Sequence, residues 1–224
     1  MRINNTYICF DFETGSKNCK RTQPIQLAAV AIDGKKLEIV GKFSSHIKAS
    51  EDPKFLEKHN LDPIQDEALN VNKVTWDQIR KAPEPKTVWK DFCSFVNKYN
   101  YKKSKWTAPI GLGYNILNFD IPIVNRLCGH EPYNFGPFDK EYQTQSLFNP
   151  IYYVDLMHII YFWFESLSEP KSLSFDSLRT YFGMASERAH DAVYDTDQCA
   201  ELFIRFAKLT RNISKDVRFE GAFG

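Results

Sequence analysis

The sequence is short of the features that mark most specialised protein classes. No two of its five cysteines stand at C-x-x-C spacing, which excludes the commonest zinc-binding frameworks. Charge of either sign is not in excess: 29 Lys and Arg face 28 Asp and Glu, so a uniformly basic nucleic-acid binder is excluded, although a local basic patch is not. No apolar run reaches the roughly 18 residues of a membrane-spanning helix. The most apolar stretch, 151–164, is interrupted by Asp155 and His158. The opening MRINNTYICFDFE meets acid too early for a signal peptide. Internal repeats and low-complexity tracts are also lacking, which excludes a solenoid. The odd cysteine count, with several cysteines in apolar surroundings, points to reduced, mostly buried thiols and a cytoplasmic compartment.

What the sequence does hold is material for a core. At 43% hydrophobic and 15% aromatic, the 224 residues suffice for one large domain. Thr6–Phe12 is a continuous apolar run, as expected of a strand buried on both faces. Ile25–Ile32 is a second, Asp33-Gly34 supplies a turn signal, and Leu37–Phe43 reads as a third. Residues 44–85, broken by Pro53, Pro63, Pro83 and Pro85, form a long, partly helical connection without a clear period.

Later in the chain, strands alternate with helices. Helical spacing returns in Thr87–Tyr99, followed by a short glycine-bearing strand at Pro109–Tyr114 and a helix over Asn118–Cys128. The segment 129–150, rich in Pro, Gly and aromatics, reads as a loop that packs locally, covers a site or meets a partner. A fifth strand at Ile151–Val154, helices over Leu156–Ser166 and Ser174–Phe182, and a last helix opened by His190 or Asp191 complete the chain. A meander followed by alternation predicts an α/β fold with a mixed five-stranded sheet and helices on both faces.

Three acidic motifs lie in that frame. Asp11 and Glu13 are two apart on a strand, so they share a face and repel unless a cation lies between them. Oxygen donors of this kind suit Mg²⁺ or Mn²⁺, but a water-exposed strand end would read the same way. Asp120 enters a helix, where a carboxylate also complements the helix dipole. His190 and Asp195 stand five apart at the start of the last helix, where both could be surface residues. Asp197 lies about 200° around that helix from Asp195 and should face away. Asp191 reads as a capping acid and Asp155 as a structural acid at a strand end.

In their order the motifs D-F-E-T-G (11–15), N-x-x-N-F-D (115–120) and H-D-A-V-Y-D (190–195) resemble the DEDDh group of the DnaQ-like 3′–5′ exonuclease superfamily. The linking segments EALNVNKVT (67–75) and SLSFDSLRTYFG (172–183) extend the likeness over about residues 6–208. The resemblance implies a ribonuclease H-like fold, with an exonuclease domain over 1–210 and a tail over 211–224 as a candidate partner-docking segment. It also implies two Mg²⁺ or Mn²⁺ ions held by Asp11, Glu13, Asp120 and Asp195, with His190 as general base. A superfamily variant places Tyr four residues before the last acid. Here that position is Asp191, and His190 stands at the five-residue spacing, so the His subclass is preferred.

The implied reaction removes nucleoside 5′-monophosphates from single-stranded 3′ ends, DNA before RNA. The protein would act alone or as a proofreading subunit beside a DNA polymerase or other replication protein, with no membrane partner. Substrate contacts are expected from Phe12, Thr14, Gly15 and Asn115, with Phe12 either stacking on a base or turned into the core. The alternatives are a ribonuclease T-type exoribonuclease and a non-catalytic nucleic-acid-binding module of the same fold.

Overall fold

Thr6–Thr14 forms the first strand (β1) of a computed structural model that describes residues 6–184 and 191–216. β2 (Pro24–Asp33) and β3 (Glu38–His46) follow as an antiparallel meander. Asp33 shapes the turn between them, its carboxylate accepting from the N–H groups of Lys35 and Lys36 at 2.8 and 3.2 Å. Four helices come next: α1 (Pro53–His59), α2 (Asp66–Asn72), α3 (Trp76–Lys81) and α4 (Pro85–Asn97). β4 (Ile110–Gly113) then leads to α5 (Asp120–Gly129). A small hairpin of β5 (Phe138–Asp139) and β6 (Thr144–Gln145) precedes β7 (Tyr153–Asp155). α6 (Leu156–Phe164), α7 (Phe175–Tyr181) and α8 (Ala192–Asp216) follow.

The main sheet has the order β3-β2-β1-β4-β7, with β4 parallel to both β1 and β7. This is the mixed five-stranded sheet expected from the sequence. β1 and β2 are central, which explains their unbroken apolar runs: both faces are covered. On one face Ile8, Phe10 and Phe12 meet Trp89 and Phe92 of α4 and Val124 of α5. On the other, Cys9, Val30 and Leu112 meet Leu156 of α6, Leu178 of α7 and Phe203 of α8. Each fully buried aromatic or aliphatic side chain contributes roughly 1.5–3 kcal/mol.

The structure differs from the sequence reading in three places and decides a fourth that the sequence leaves open. The connection 44–85 holds α1, α2 and α3, which span six or seven residues each, too few turns to display a hydrophobic period. Their starts are set by local chemistry instead. Asp52 caps α1 by accepting from the Lys54 N–H, and Thr75 and Gln78 form a capping box on α3. β1 and β3 run two and three residues beyond their expected ends. The 129–150 segment packs locally, with Tyr133 and Phe148 buried and Phe148 stacked on Phe10 at 4.9 Å. Finally, α8 continues to Asp216, six residues into the segment read as a tail, and Arg211 donates to the Lys35 carbonyl at 3.0 Å. Residues 217–224 lie outside the described residues.

Candidate active site

The pairing of β1 with β4 ends at Cys9–Leu112, whereas its pairing with β2 runs on to Thr14. Asp11 and Glu13 therefore stand on a stretch of β1 that outruns its parallel neighbour. The chain leaves β4 at Gly113, where a Cβ would fall 2.1 Å from Ile116 Cγ2 and 3.1 Å from the Phe10 carbonyl oxygen. Only glycine lets the backbone turn away that closely. The result is a crevice beyond the carboxyl ends of parallel strands, the usual ligand position in open α/β sheets.

Alternation along β1 gives Cys9, Asp11 and Glu13 the α8 side of the sheet. Asp195 reaches the same place from the first turn of α8. Carboxylate oxygens of Asp11, Glu13 and Asp195 lie within 4.8 Å of one another. Asp120 arrives from the opposite face, as the first residue of α5, and its Oδ1 accepts from the Phe12 N–H at 3.2 Å. It is 2% exposed and adjoins the three-acid group without being one of its members.

The electrostatics fit this crowding. Burial, then the charge of Asp195, pushes the Asp11 carboxyl up to about 7, while Arg179 pulls the other way. Glu13 is pushed to about 9 by burial and by Asp11, Asp195 and Asp191, again opposed by Arg179. Asp120 is raised well above the usual carboxylate range by burial and Asp11. A group of hard oxygen donors that resist ionising together fits a divalent cation, which would relieve both the repulsion and the desolvation.

Arg179 is the residue the sequence reading missed. It is 1% exposed and its Nη2 lies 2.5 Å from Asp195 Oδ1. One arginine on a seven-residue helix carries no periodic signal, and only the packing of α7 against α8 reveals its direction.

The other expected positions resolve individually. The Phe12 ring is 4% exposed and packs on Trp89 and Phe10, so of the two readings left open for it the ring takes the core side. Any contribution of Phe12 to substrate would be through backbone. The Thr14 hydroxyl donates to the Ser16 carbonyl at 2.9 Å, and the Thr14 carbonyl accepts from Asn72 Nδ2 at 3.1 Å. A Cβ on Gly15 would meet Ile64 Cδ1 at 2.1 Å and Ile64 Cα at 3.3 Å, so the Ile64 side chain would have to shift to admit one. Asn115 has a positive φ of 59° and donates its N–H to Asp155 at 2.8 Å. Asp155 is buried, also accepts from Leu117 and Met157, and has the structural role expected. Asp191 accepts from the Val193 N–H, as a cap should. Asp197 faces away and pairs with Lys42 on β3 at 2.6 Å. His190 lies outside the described residues. A cleft of about 640 Å³ opens beside the acids, lined by Asp11, Asn115, Tyr114, Phe175, Arg179 and Asp195.

Comparison with known proteins adds two kinds of likeness. Residues 8–109 match the sequence-family model RNase_T, described as Exonuclease. The chain is 25% identical over 209 residues to the PolC-type DNA polymerase III of Staphylococcus haemolyticus, covering 93% of this chain and 12% of the polymerase. The Bacillus subtilis protein of the same description is 24% identical over 203 residues, covering 91% of this chain and 11% of its own length. Escherichia coli exonuclease I in complex with a dT13 oligonucleotide superposes with a TM-score of 0.68 at 17% identity, over 94% of this chain and 43% of exonuclease I. These matches support the resemblance to the DnaQ-like 3′–5′ exonuclease superfamily that the motifs carry.

Cell-death related nuclease 4 has a similar fold, with a TM-score of 0.62 at 16% identity, over 92% of this chain and 64% of that one. These structural likenesses are ones of fold, the ribonuclease H-like arrangement anticipated from the motifs. The chain spans about an eighth of the curated polymerases and less than half of exonuclease I. Among the described residues no helix is long and apolar enough to cross a membrane.

Proposed function

We propose that this chain is a metal-dependent 3′–5′ exonuclease of the DEDDh pattern that releases nucleoside 5′-monophosphates from single-stranded DNA. The observation that carries the reading is the meeting of Asp11, Glu13 and Asp195 within 4.8 Å at the carboxyl end of β1. With Asp120 beside them, these residues would hold two Mg²⁺ or Mn²⁺ ions. When bound there, such ions supply a more acidic attacking water and offset charge on the phosphodiester and its leaving oxygen.

The protein's own groups do the rest. Asp120 ties the β1 backbone to the start of α5 through the Phe12 N–H, which fixes the two halves of the acid group against each other. His190, five residues before Asp195, is assigned the proton-accepting role, since imidazole ionises near neutral pH. Asn115, which lines the cleft beside the acids, and the backbone around Thr14 and Gly15 are assigned to the terminal nucleotide.

The preference for DNA draws support from two relatives: exonuclease I is solved with a dT13 oligonucleotide, and the PolC-type proteins are DNA polymerases. That second likeness also supports a role beside a replication polymerase. Buried thiols at Cys9, Cys93, Cys128 and Cys199 support a cytoplasmic setting. The matched RNase_T family model favours a second reading, an exoribonuclease at the same site.

End-labelled DNA and RNA of one sequence, digested with Mg²⁺ or Mn²⁺, separate the two readings. The expected result is a ladder of single-nucleotide steps from the 3′ end, faster on DNA. Faster digestion of RNA favours the second reading. Digestion that persists in excess chelator overturns the metal-dependent mechanism.

A further inference from the structure

Arg179 is a charged side chain buried where the proposed metal chemistry does not need it. Four groups surround its guanidinium. Nη2 contacts Asp195 Oδ1 at 2.5 Å, Nε donates to Gln198 Oε1 at 2.6 Å, and Nη1 pairs with Asp176. The guanidinium also lies 4.3 Å from the ring centre of Phe175. Two partners come from α8 and two from α7, so the arginine fastens the short helix to the one that carries Asp195. Although it lines the cleft, the side chain is 1% exposed and its guanidinium is engaged by these four groups rather than open to a substrate phosphate.

The position has an electrostatic consequence. Asp11, Glu13 and Asp195 crowd together, and Arg179 is the cation that the described residues set against them. A buried carboxylate group needs a positive partner to remain folded and ionised. In the metal-free protein a guanidinium supplies that charge, and when a divalent ion binds, the ion supplies it more strongly.

We propose that Arg179 is a positioning residue that acts as the fixed counter-charge of the acid group, holding Asp195 toward Asp11 and Glu13 until a divalent ion takes over that charge. The inference rests on the metal-site reading above. It makes a demand that a merely structural arginine does not: the stability lost on removing Arg179 should depend on whether metal is present.

The test compares the full chain with Arg179→Met and Arg179→Lys by thermal unfolding, in chelator and in saturating Mn²⁺, with Mn²⁺ binding followed by titration calorimetry. In chelator, Arg179→Met should lower Tm by about 10 °C. Mn²⁺ should restore at least half of that loss, and by linkage the variant should bind Mn²⁺ several-fold more tightly than the parent. Arg179→Lys, which keeps the charge but not the fork, should fall between. A Met variant that folds only with Mn²⁺ is the extreme form of the same result.

Equal losses with and without Mn²⁺, weaker Mn²⁺ binding, a Lys variant as unstable in chelator as the Met variant, or a Met variant unfolded even in Mn²⁺ would each overturn the inference. Failure of the parent protein itself to bind Mn²⁺ strikes elsewhere: it brings down the metal-site reading, and this inference with it.

Discussion

The two faces of β1 are made of the same few residues and answer to different rules. Ile8, Phe10 and Phe12 point into an aromatic core, where Phe10 stacks on Phe148 and Phe12 on Trp89. Cys9, Asp11 and Glu13 point toward α8, where the buried groups include acids and one arginine. One face lowers its free energy by removing carbon from water. The other holds carboxylates in positions that raise it, and such a site persists only because the rest of the fold over-determines it. The lesson is that stability and proposed chemistry are divided between faces one residue apart, so they can be broken separately.

The largest expected effect comes from the acid face. Asp11→Ala or Asp195→Ala should reduce nucleotide release from an end-labelled oligonucleotide to background. The metal-free protein should be no less stable after Asp11→Ala, since the change removes a charge that repels Asp195 and Glu13. Clear turnover by either variant would dissolve the distinction between the faces.

Next comes the core face. Phe12→Ala removes a ring wedged against Phe10 and Trp89 and should cost about 3–5 kcal/mol in urea unfolding. Activity per folded molecule should change little. A selective loss of substrate affinity, with stability intact, would instead put the Phe12 side chain on the nucleotide.

The dependence on pH sharpens the comparison. Asp11 and Glu13 take up protons more readily in the folded chain, at about 7 and 9, than unfolded carboxyls do at about 4. Their contribution to metal-free stability is therefore complete below about pH 4 and is lost as pH rises through 7 and 9. Divalent ions bind the ionised forms, so Mg²⁺ or Mn²⁺ should flatten that decline. Urea midpoints at pH 5, 7 and 9, with chelator and with Mn²⁺, would reveal it, and parallel curves in the two conditions would count against a metal site.

The smallest effect separates two acids on one helix. Asp197, paired with Lys42 in a partly exposed contact, should cost no more than about 1 kcal/mol when changed to Ala. Activity should be unchanged, in contrast to Asp195→Ala two residues earlier. Thermal unfolding beside the same end-labelled assay reads both quantities.

Much of the molecule is legible in the chain because its signals are local. The unbroken apolar runs of β1 and β2 read as buried strands, and the ordered acids at 11, 13, 120 and 195 are singled out by the motif resemblance, three of them (Asp11, Glu13 and Asp195) meeting within 4.8 Å. The sequence was silent where structure depends on short elements or on partners distant in the chain. α1, α2 and α3 are too brief to show a period. α8 runs on to Asp216 through polar residues, and Arg211 reaches the turn after β2 across 176 residues of chain.

By itself, then, the sequence determined which side chains had to be buried in strands and which acids had to share a face, because alternation and helical spacing are properties of neighbouring residues. Tertiary structure alone decided that the Phe12 ring takes the core side. It also decided that Asp120 reaches β1 from the opposite face, and that Arg179 closes on Asp195. Those outcomes turn on how α5, α7 and α8 pack against one sheet, and burial and charge between distant elements are fixed only when that packing is complete.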